Sequence, residues 1–247
     1  MTLSGFSPVA VVPSYDNPRT IRTVVEALRR HLSDVIVVDD GSGPDGRQAI
    51  EALGAEGLAR TVRLDSNRGK GGAVQAGFAA ARSLGFSHVL QVDADGQHDL
   101  ADVPAFLAAA RSQSDTLILG APAFDQTAPW SRLAGRQLTV FWTHVEIGGT
   151  AIADPMCGFR VYPLAAIEGL RCGLRMDFDI EIAVKLVWRG TPVINLPTKV
   201  RYVTAADGGV SHFRLFEDNL RITLLHFRLL ALALVRLFSW PLRVWRR

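Results

Sequence analysis

Short runs of β-branched residues alternate with amphipathic stretches through the first half of the chain. Val9–Val12, Val35–Asp39, Thr61–Leu64, Val89–Val92 and Thr116–Leu119 read as buried strands. Between them, Arg19–His31, Arg47–Gly57, Lys70–Leu84 and Leu100–Ser112 read as helices. Strands and helices alternating at these lengths imply βαβ crossovers, and so an α/β fold with a mainly parallel central sheet flanked by helices. Ligands of such sheets gather beyond the carboxyl ends of the strands. Polar clusters stand directly after three of the strands: Pro13-Ser14-Tyr15, Asp39-Asp40-Gly41-Ser42 and Asp93-Ala94-Asp95-Gly96-Gln97.

The second half is less regular. A loop around Pro122–Pro129 precedes a helix from Trp130 to about Gly148. Then come the turn-rich 154–160, a helix near Asp179–Arg189, strands near Val193–Val203, a glycine-rich stretch at Asp207–Gly209, and a long terminal helix. There is no internal repeat and no linker that splits the chain. Residues 1–215 read as the catalytic domain and 216–247 as an appended amphipathic helix.

Composition adds little until its distribution is read. The chain of 247 residues is 48% hydrophobic and 21% charged, with a net charge of +3, too small to argue for nucleic acid. After Asp218, however, come six arginines and no acid, a local excess that favours an anionic surface. Cys157 and Cys172 have neither metal-ligand spacing nor a disulfide framework, which points to a reducing cytoplasm. The N-terminus lacks a basic n-region and a long apolar h-region. No run reaches the ~18 consecutive apolar residues of a membrane-spanning helix.

Asp93 and Asp95 carry the clearest chemistry. Two carboxylates spaced i, i+2 where a strand ends can face one hard cation, Mg2+ or Mn2+, which prefers oxygen ligands and bridges a diphosphate. A surface turn with two solvated acids is the plain alternative. Asp40, after the apolar strand, can accept from a ribose hydroxyl or a base N–H, or merely form a turn before a helix capped by Ser42 or Asp45. Asn67-Arg68-Gly69-Lys70-Gly71-Gly72 resembles a phosphate-cradling loop that places Lys70 at a helix start. It lacks P-loop spacing, and its glycines serve tight packing equally well.

Asp177, Asp179 and Glu181 are candidate general bases for a hydroxyl acceptor. At i, i+4, Asp177 and Glu181 share a helical face from which Asp179 turns away. Arg201, His212 and Arg214 flank a glycine-rich segment that could close over a diphosphate leaving group. Along Asn219–Trp240, Arg221, Arg228 and Arg236 fall within roughly 80° of one another, a basic stripe on an otherwise apolar helix. Such a helix suits an anionic membrane surface, with Trp240, Trp245 and the terminal arginines as anchors. Core packing or a homo-oligomer is its other use.

Taken in order, these segments resemble the family 2 glycosyltransferases, particularly the dolichyl-phosphate mannose synthase-like branch. The likeness covers roughly residues 8–215 and rests on Val11–Asn17, Val37–Ser42, Asn67–Gly77, Asp93–His98, Asp154–Arg160 and Phe178–Ile182. It implies a GT-A fold, a nucleoside-diphosphate sugar donor and inversion at the anomeric carbon. By the same resemblance, Pro13, Tyr15, Val38 and Asp40 line the nucleoside pocket, with Asn17 beside them. Asp93, Ala94, Asp95 and Gln97 meet the donor diphosphate and its metal. Arg201 and the segment around Ser211 and His212 lie near the phosphates or the acceptor. Two departures stand out. Asp16-Asn17 replaces a frequent Asn-Glu. Ala121-Pro122-Ala123 replaces a frequent Ser-Arg-Tyr, removing a donor arginine unless Arg132 or Arg136 substitutes.

The expected activity is therefore metal-dependent sugar transfer to a lipid-linked acceptor. A polyprenyl phosphate comes first and a lipid or glycolipid hydroxyl second, at the cytoplasmic face of a membrane. A sugar-1-phosphate nucleotidyltransferase would need a GlyXxxGlyXxxArg loop near the first strand, which the chain lacks. A non-catalytic membrane-binding module leaves the acid pairs without a purpose.

Overall fold

The computed structural model describes residues 5–124, 130–201 and 215–244. Seven strands form one sheet in the order β3-β2-β1-β4-β6-β5-β7. β1 (Pro8–Ser14), β2 (Val35–Asp39), β3 (Arg60–Arg63) and β4 (His88–Gln91) pair in parallel, as do β5 (Leu117–Phe124) and β7 (Val193–Val200). β6 (Arg160–Pro163) runs antiparallel between β4 and β5. In sequence the stretch is turn-rich and gives no sign of β6, because four residues around an arginine carry too little pattern.

Period-two alternation sends side chains to both faces of the sheet. Ala10, Val12, Val35 and Val37 face α1 (Ile21–Arg29), α2 (Pro44–Ala55) and α4 (Val103–Ser112). Val9, Val11, Ile36 and Val38 face α3 (Lys70–Ser83) and α6 (Phe178–Trp188). Each predicted strand and helix of the first half is present, and all but the end of β5 fall within about three residues of the expected bounds. β5 runs further than expected, taking in Pro122, which the sequence reading placed in a loop. The amide of Gly120 points to β6, bonding the carbonyl of Phe159, so Pro122 two residues on faces the same way. β6 pairs only with Ile118 and Leu119, so the proline's missing N–H costs no ladder bond there.

The terminal helix, α7 (Leu215–Val244), docks on the domain rather than standing off it. Ile222, Leu225 and Leu229 bury against Ile180 and Val184 of α6. Arg228 reaches Glu181 at 2.6 Å, and His226 meets Glu146 of α5 (Trp130–Ile147) at 2.6 Å. Arg236 donates to the carbonyl of Trp188 and lies over its ring. The basic stripe read from the sequence is thus corrected: two of its three arginines are drawn to the protein, because the stripe borders the packed face. The opposite face stays apolar and exposed, through Phe216, Leu220, Leu224, Phe227, Leu234 and Phe238, joined by Leu138, Phe141 and Val145 of α5. Among the described residues, no helix is long and apolar enough to cross a membrane.

Candidate active site

Several segments meet beyond the carboxyl ends of β1, β2 and β4. After β1, Asp16 adopts a left-handed backbone (φ 49°), its amide accepted by Ser42 Oγ and its carboxylate accepting from the Gly43 amide. Asp and Asn tolerate that conformation better than most residues, and the two bonds stabilise it here. They tie the loop bearing Tyr15 and Asn17 to the loop after β2. Pro13 is buried, Tyr15 is part-exposed, and Asn17 caps its own loop by accepting from the Tyr15 amide. Val38 sends its side chain into the core against α3, so only its main chain can border a nucleoside.

Asp40 gives one acceptor site of each carboxylate oxygen to the loop before α3. Its two oxygens accept from the amides of Arg68 and Gly69, at 2.7 and 2.8 Å. Burial nonetheless raises its carboxyl above the ordinary range, with those amides opposing. Asp40 therefore fixes the start of α3. There Gly71 packs so closely on the Gly173–Phe178 segment that an added Cβ would lie 2.5 Å from Phe178 Cβ. The glycines here allow close packing, and the partner is this segment rather than the sheet.

Lys70, delivered by that helix start, does not point freely toward solvent. Its Nζ lies 2.8 Å from the Asp93 carboxylate and 2.6 Å from Asp179. Burial works to lower the lysine, but the two carboxylates outweigh it and push its pKa up. Burial works to raise Asp93, and Lys70 with its neighbours brings it down. Asp179 also accepts from Gln91 Nε2, and its backbone carbonyl takes a bond from the fully buried Arg160. Arg160 further binds the carbonyls of Pro155 and Cys157, holding the 154–159 loop against Asp93.

Among the described residues, Asp95 makes no ion pair within 4 Å, unlike Asp93 and Asp179. Burial, then the charge of Asp93, pushes its pKa up to about 6. A buried carboxylate crowded by another is a donor set that suits a hard divalent cation. Among the described residues, no three His, Cys, Asp or Glu side chains converge as a ready-made metal site, so donor phosphates would have to complete the shell. Ala94 is buried, with its carbonyl held by Thr20 Oγ1. Gln97 gives its amide to Asp95 and its carbonyl to the Arg201 amide, which brings Arg201 to the site's edge.

The three acids at the start of α6 lie on different faces, as their spacing implies. Asp179, turned away from the face of Asp177 and Glu181, faces Lys70 and the site. Glu181 is 1% exposed and committed to Lys185, Arg228 and the Gly173 amide, so it is not free to act as a base. Asp177 stands part-exposed at the helix start, its pKa raised chiefly by burial. Arg136 is paired with Asp154 and lies over Phe124. Ser211, His212 and Arg214 lie outside the described residues, as does the side chain of Arg132. Sequence reasoning missed His98, whose ring lies 5.6 Å from that of Phe159 and whose pKa burial lowers to about 4. It also missed Arg160. Their signal was the wording of the motifs, His98 after Gln97 and Arg160 after Phe159.

Residues 9–163 match Glycosyl transferase family 2. The chain belongs to that family. This family 2 glycosyltransferase is 32% identical over 195 residues to an undecaprenyl-phosphate mannosyltransferase of Micrococcus luteus, covering 71% of this chain and 77% of that one. It is 26% identical to a UDP-N-acetylglucosamine–dolichyl-phosphate N-acetylglucosaminyltransferase of Methanococcus voltae, over 67% of this chain and 72% of the other. Among solved structures, glucosyl-3-phosphoglycerate synthase from Mycobacterium tuberculosis, in complex with Mn2+ and UDP-glucose, superposes with a TM-score of 0.62. That match is 18% identical and covers 83% of this chain and 74% of the other, which establishes the shared GT-A fold.

Proposed function

We propose that this transferase moves a sugar, with inversion, from a nucleoside-diphosphate sugar to a polyprenyl phosphate at the cytoplasmic face of a membrane. The observation that carries the reading is the Asp93–Asp95 pair at the end of β4, set beside Lys70 and Asp179 at the carboxyl end of a parallel sheet. Asp93 and Asp95 would hold Mg2+ or Mn2+, and such an ion supplies charge stabilisation to the departing diphosphate. Tyr15, Asn17 and the main chain of Val38 border the nucleoside, and Arg201 guards the phosphates. The acceptor oxygen attacks the anomeric carbon from the face opposite the leaving group, which gives inversion. A phosphate oxygen is already anionic and needs no base. The lipid phosphates in the names of the relatives from Micrococcus luteus and Methanococcus voltae favour that acceptor, and the apolar outer face of α7 fits a lipid substrate.

A hydroxyl acceptor on a lipid or glycolipid is the second reading, favoured by one observation: Asp177 stands part-exposed at the start of α6, its pKa raised by burial, and could take the proton. The test is a thermal-shift panel of UDP, GDP and CMP sugars with and without Mn2+, followed by transfer of the donor so found. A true donor raises the melting temperature by mass action. An acid-labile glycosyl phosphate product supports the first reading, and an alkali-stable glycoside the second. No stabilisation by any nucleotide sugar would remove both.

A further inference from the structure

Lys70 has one ammonium group and more anionic neighbours than it can serve equally. Asp179 is the fixed one: its side chain is 5% exposed, bonded by Gln91, and 4.0 Å from Arg160. Asp93 is the looser partner, with its side chain 23% exposed and its position beside Asp95 at the mouth of the site. Asp93, Asp95 and Asp179 bring three negative charges here, and Lys70 with Arg160 brings two positive ones. A divalent cation arriving alone tips this balance to an excess of positive charge, directly beside the Lys70 ammonium. Arriving with a diphosphate it does not, because the phosphate oxygens can take the ammonium from Asp93 while Asp179 keeps its end in place.

We infer that Lys70 is a positioning residue that makes cation and donor binding conditional on each other, by exchanging Asp93 for the donor diphosphate while remaining anchored on Asp179. This rests on the nucleotide-sugar reading above and adds a rule to it: the cation enters as part of the donor complex. Coupling of this kind is reciprocal, so the factor by which nucleotide tightens the cation equals the factor by which the cation tightens nucleotide.

The test is free Mn2+ measured by electron paramagnetic resonance during titration of the full chain, alone and with saturating UDP or GDP. The proteins are wild type, Lys70→Met, and Lys70→Met/Asp179→Asn. The double variant removes a cation and an acid together, so it carries the decision where Lys70→Met leaves buried acids unpaired and fails to fold. In the wild type, nucleotide should tighten Mn2+ by about tenfold or more. In the variants that coupling should shrink to about threefold or less, with Mn2+ alone binding more tightly than in the wild type. Variants that keep the wild-type coupling overturn the inference and leave the nucleotide-sugar reading standing. A wild type that binds neither UDP nor GDP, with or without Mn2+, overturns both.

Discussion

Gly158 is packed directly against the carboxylate of Asp93, so closely that a Cβ at position 158 would overlap it. The glycine sits in the 154–159 loop, which Arg160 holds through the carbonyls of Pro155 and Cys157. Loop and carboxylate cannot both keep their places once a methyl group is added. Gly158→Ala should therefore push Asp93 aside and lower sugar transfer on the order of 100-fold, the scale on which a misplaced charge-stabilising group acts. Stabilisation by nucleotide plus Mn2+ should vanish with it. Gly149→Ala, where an added Cβ meets nothing within 4 Å, should leave both unchanged. Normal kinetics in Gly158→Ala would mean that Asp93 has no part in donor binding.

Asp179 and Glu181 divide reactivity from stability. Asp179→Asn should lower transfer at least about tenfold, because it weakens the anchor that positions Lys70 beside the donor. Glu181→Gln should leave kcat within about twofold, because the Glu181 carboxylate bonds to Lys185, Arg228 and the Gly173 amide, all away from Lys70 and Asp93. Its cost falls on the fold instead. A buried ion pair broken on one side loses several kcal/mol, and with Arg228 half exposed about 2 kcal/mol is expected in urea denaturation. Equal kinetic damage in the two variants would contradict this division.

Those two acids also mark where the sequence was legible. Helical spacing sets Asp177 and Glu181 on one face and Asp179 on another. It could not say which face meets the active site, because α6 is buried nearly all round, by the sheet on one side and α7 on the other. A helix without a polar face offers no moment from which to orient it. The Asp93–Asp95 pair was legible because it is local, two acids where an apolar strand stops. Its neighbour Lys70 was legible as a helix start, but its contact with Asp179 joins residues more than a hundred positions apart. The same limit explains the arginines of α7: their angular spacing was right, and what they face depends on Glu181 and Trp188.

His98 should make the fold sensitive to mild acid. Burial lowers its pKa to about 4, against 6.5 for the ordinary imidazole, with Asp93 and Asp179 pulling up and Lys70 and Arg136 pulling down. As pH falls from 6.5, the unfolded chain takes a proton that the folded chain refuses until about 4, so stability drops across that window. The loss integrates to at most about 3 kcal/mol. His98→Gln should remove that loss, leaving Asp95, whose raised pKa makes the folded chain the first to take its proton and so adds stability as pH falls from about 6 to 4, set against His88, which burial lowers. An unchanged pH profile in His98→Gln would show that the imidazole is solvated.

The outer face of α7 carries the membrane reading, and it is apolar rather than basic. Leu224 and Phe227 point away from the domain, 58% and 67% exposed, on the side opposite Ile222, Leu225 and Leu229. Because they touch little, Leu224→Asp/Phe227→Asp should leave the melting temperature nearly unchanged. Inserting a leucine and a phenylalanine into lipid is worth about 1.5–3 kcal/mol each, so the pair should cost more than about 100-fold in partition to vesicles. Arg228 and Arg236 are drawn to Glu181 and Trp188, so phosphatidylcholine vesicles should bind the wild type, with anionic lipid adding an increment through Arg221 and the terminal arginines Arg243, Arg246 and Arg247. Co-sedimentation at two salt concentrations measures both effects. A wild type that sediments only with anionic vesicles, and is released by salt, would restore the electrostatic account. Loss of a dimer in the double variant, with vesicle binding intact, would make this face a contact between two copies of the chain instead.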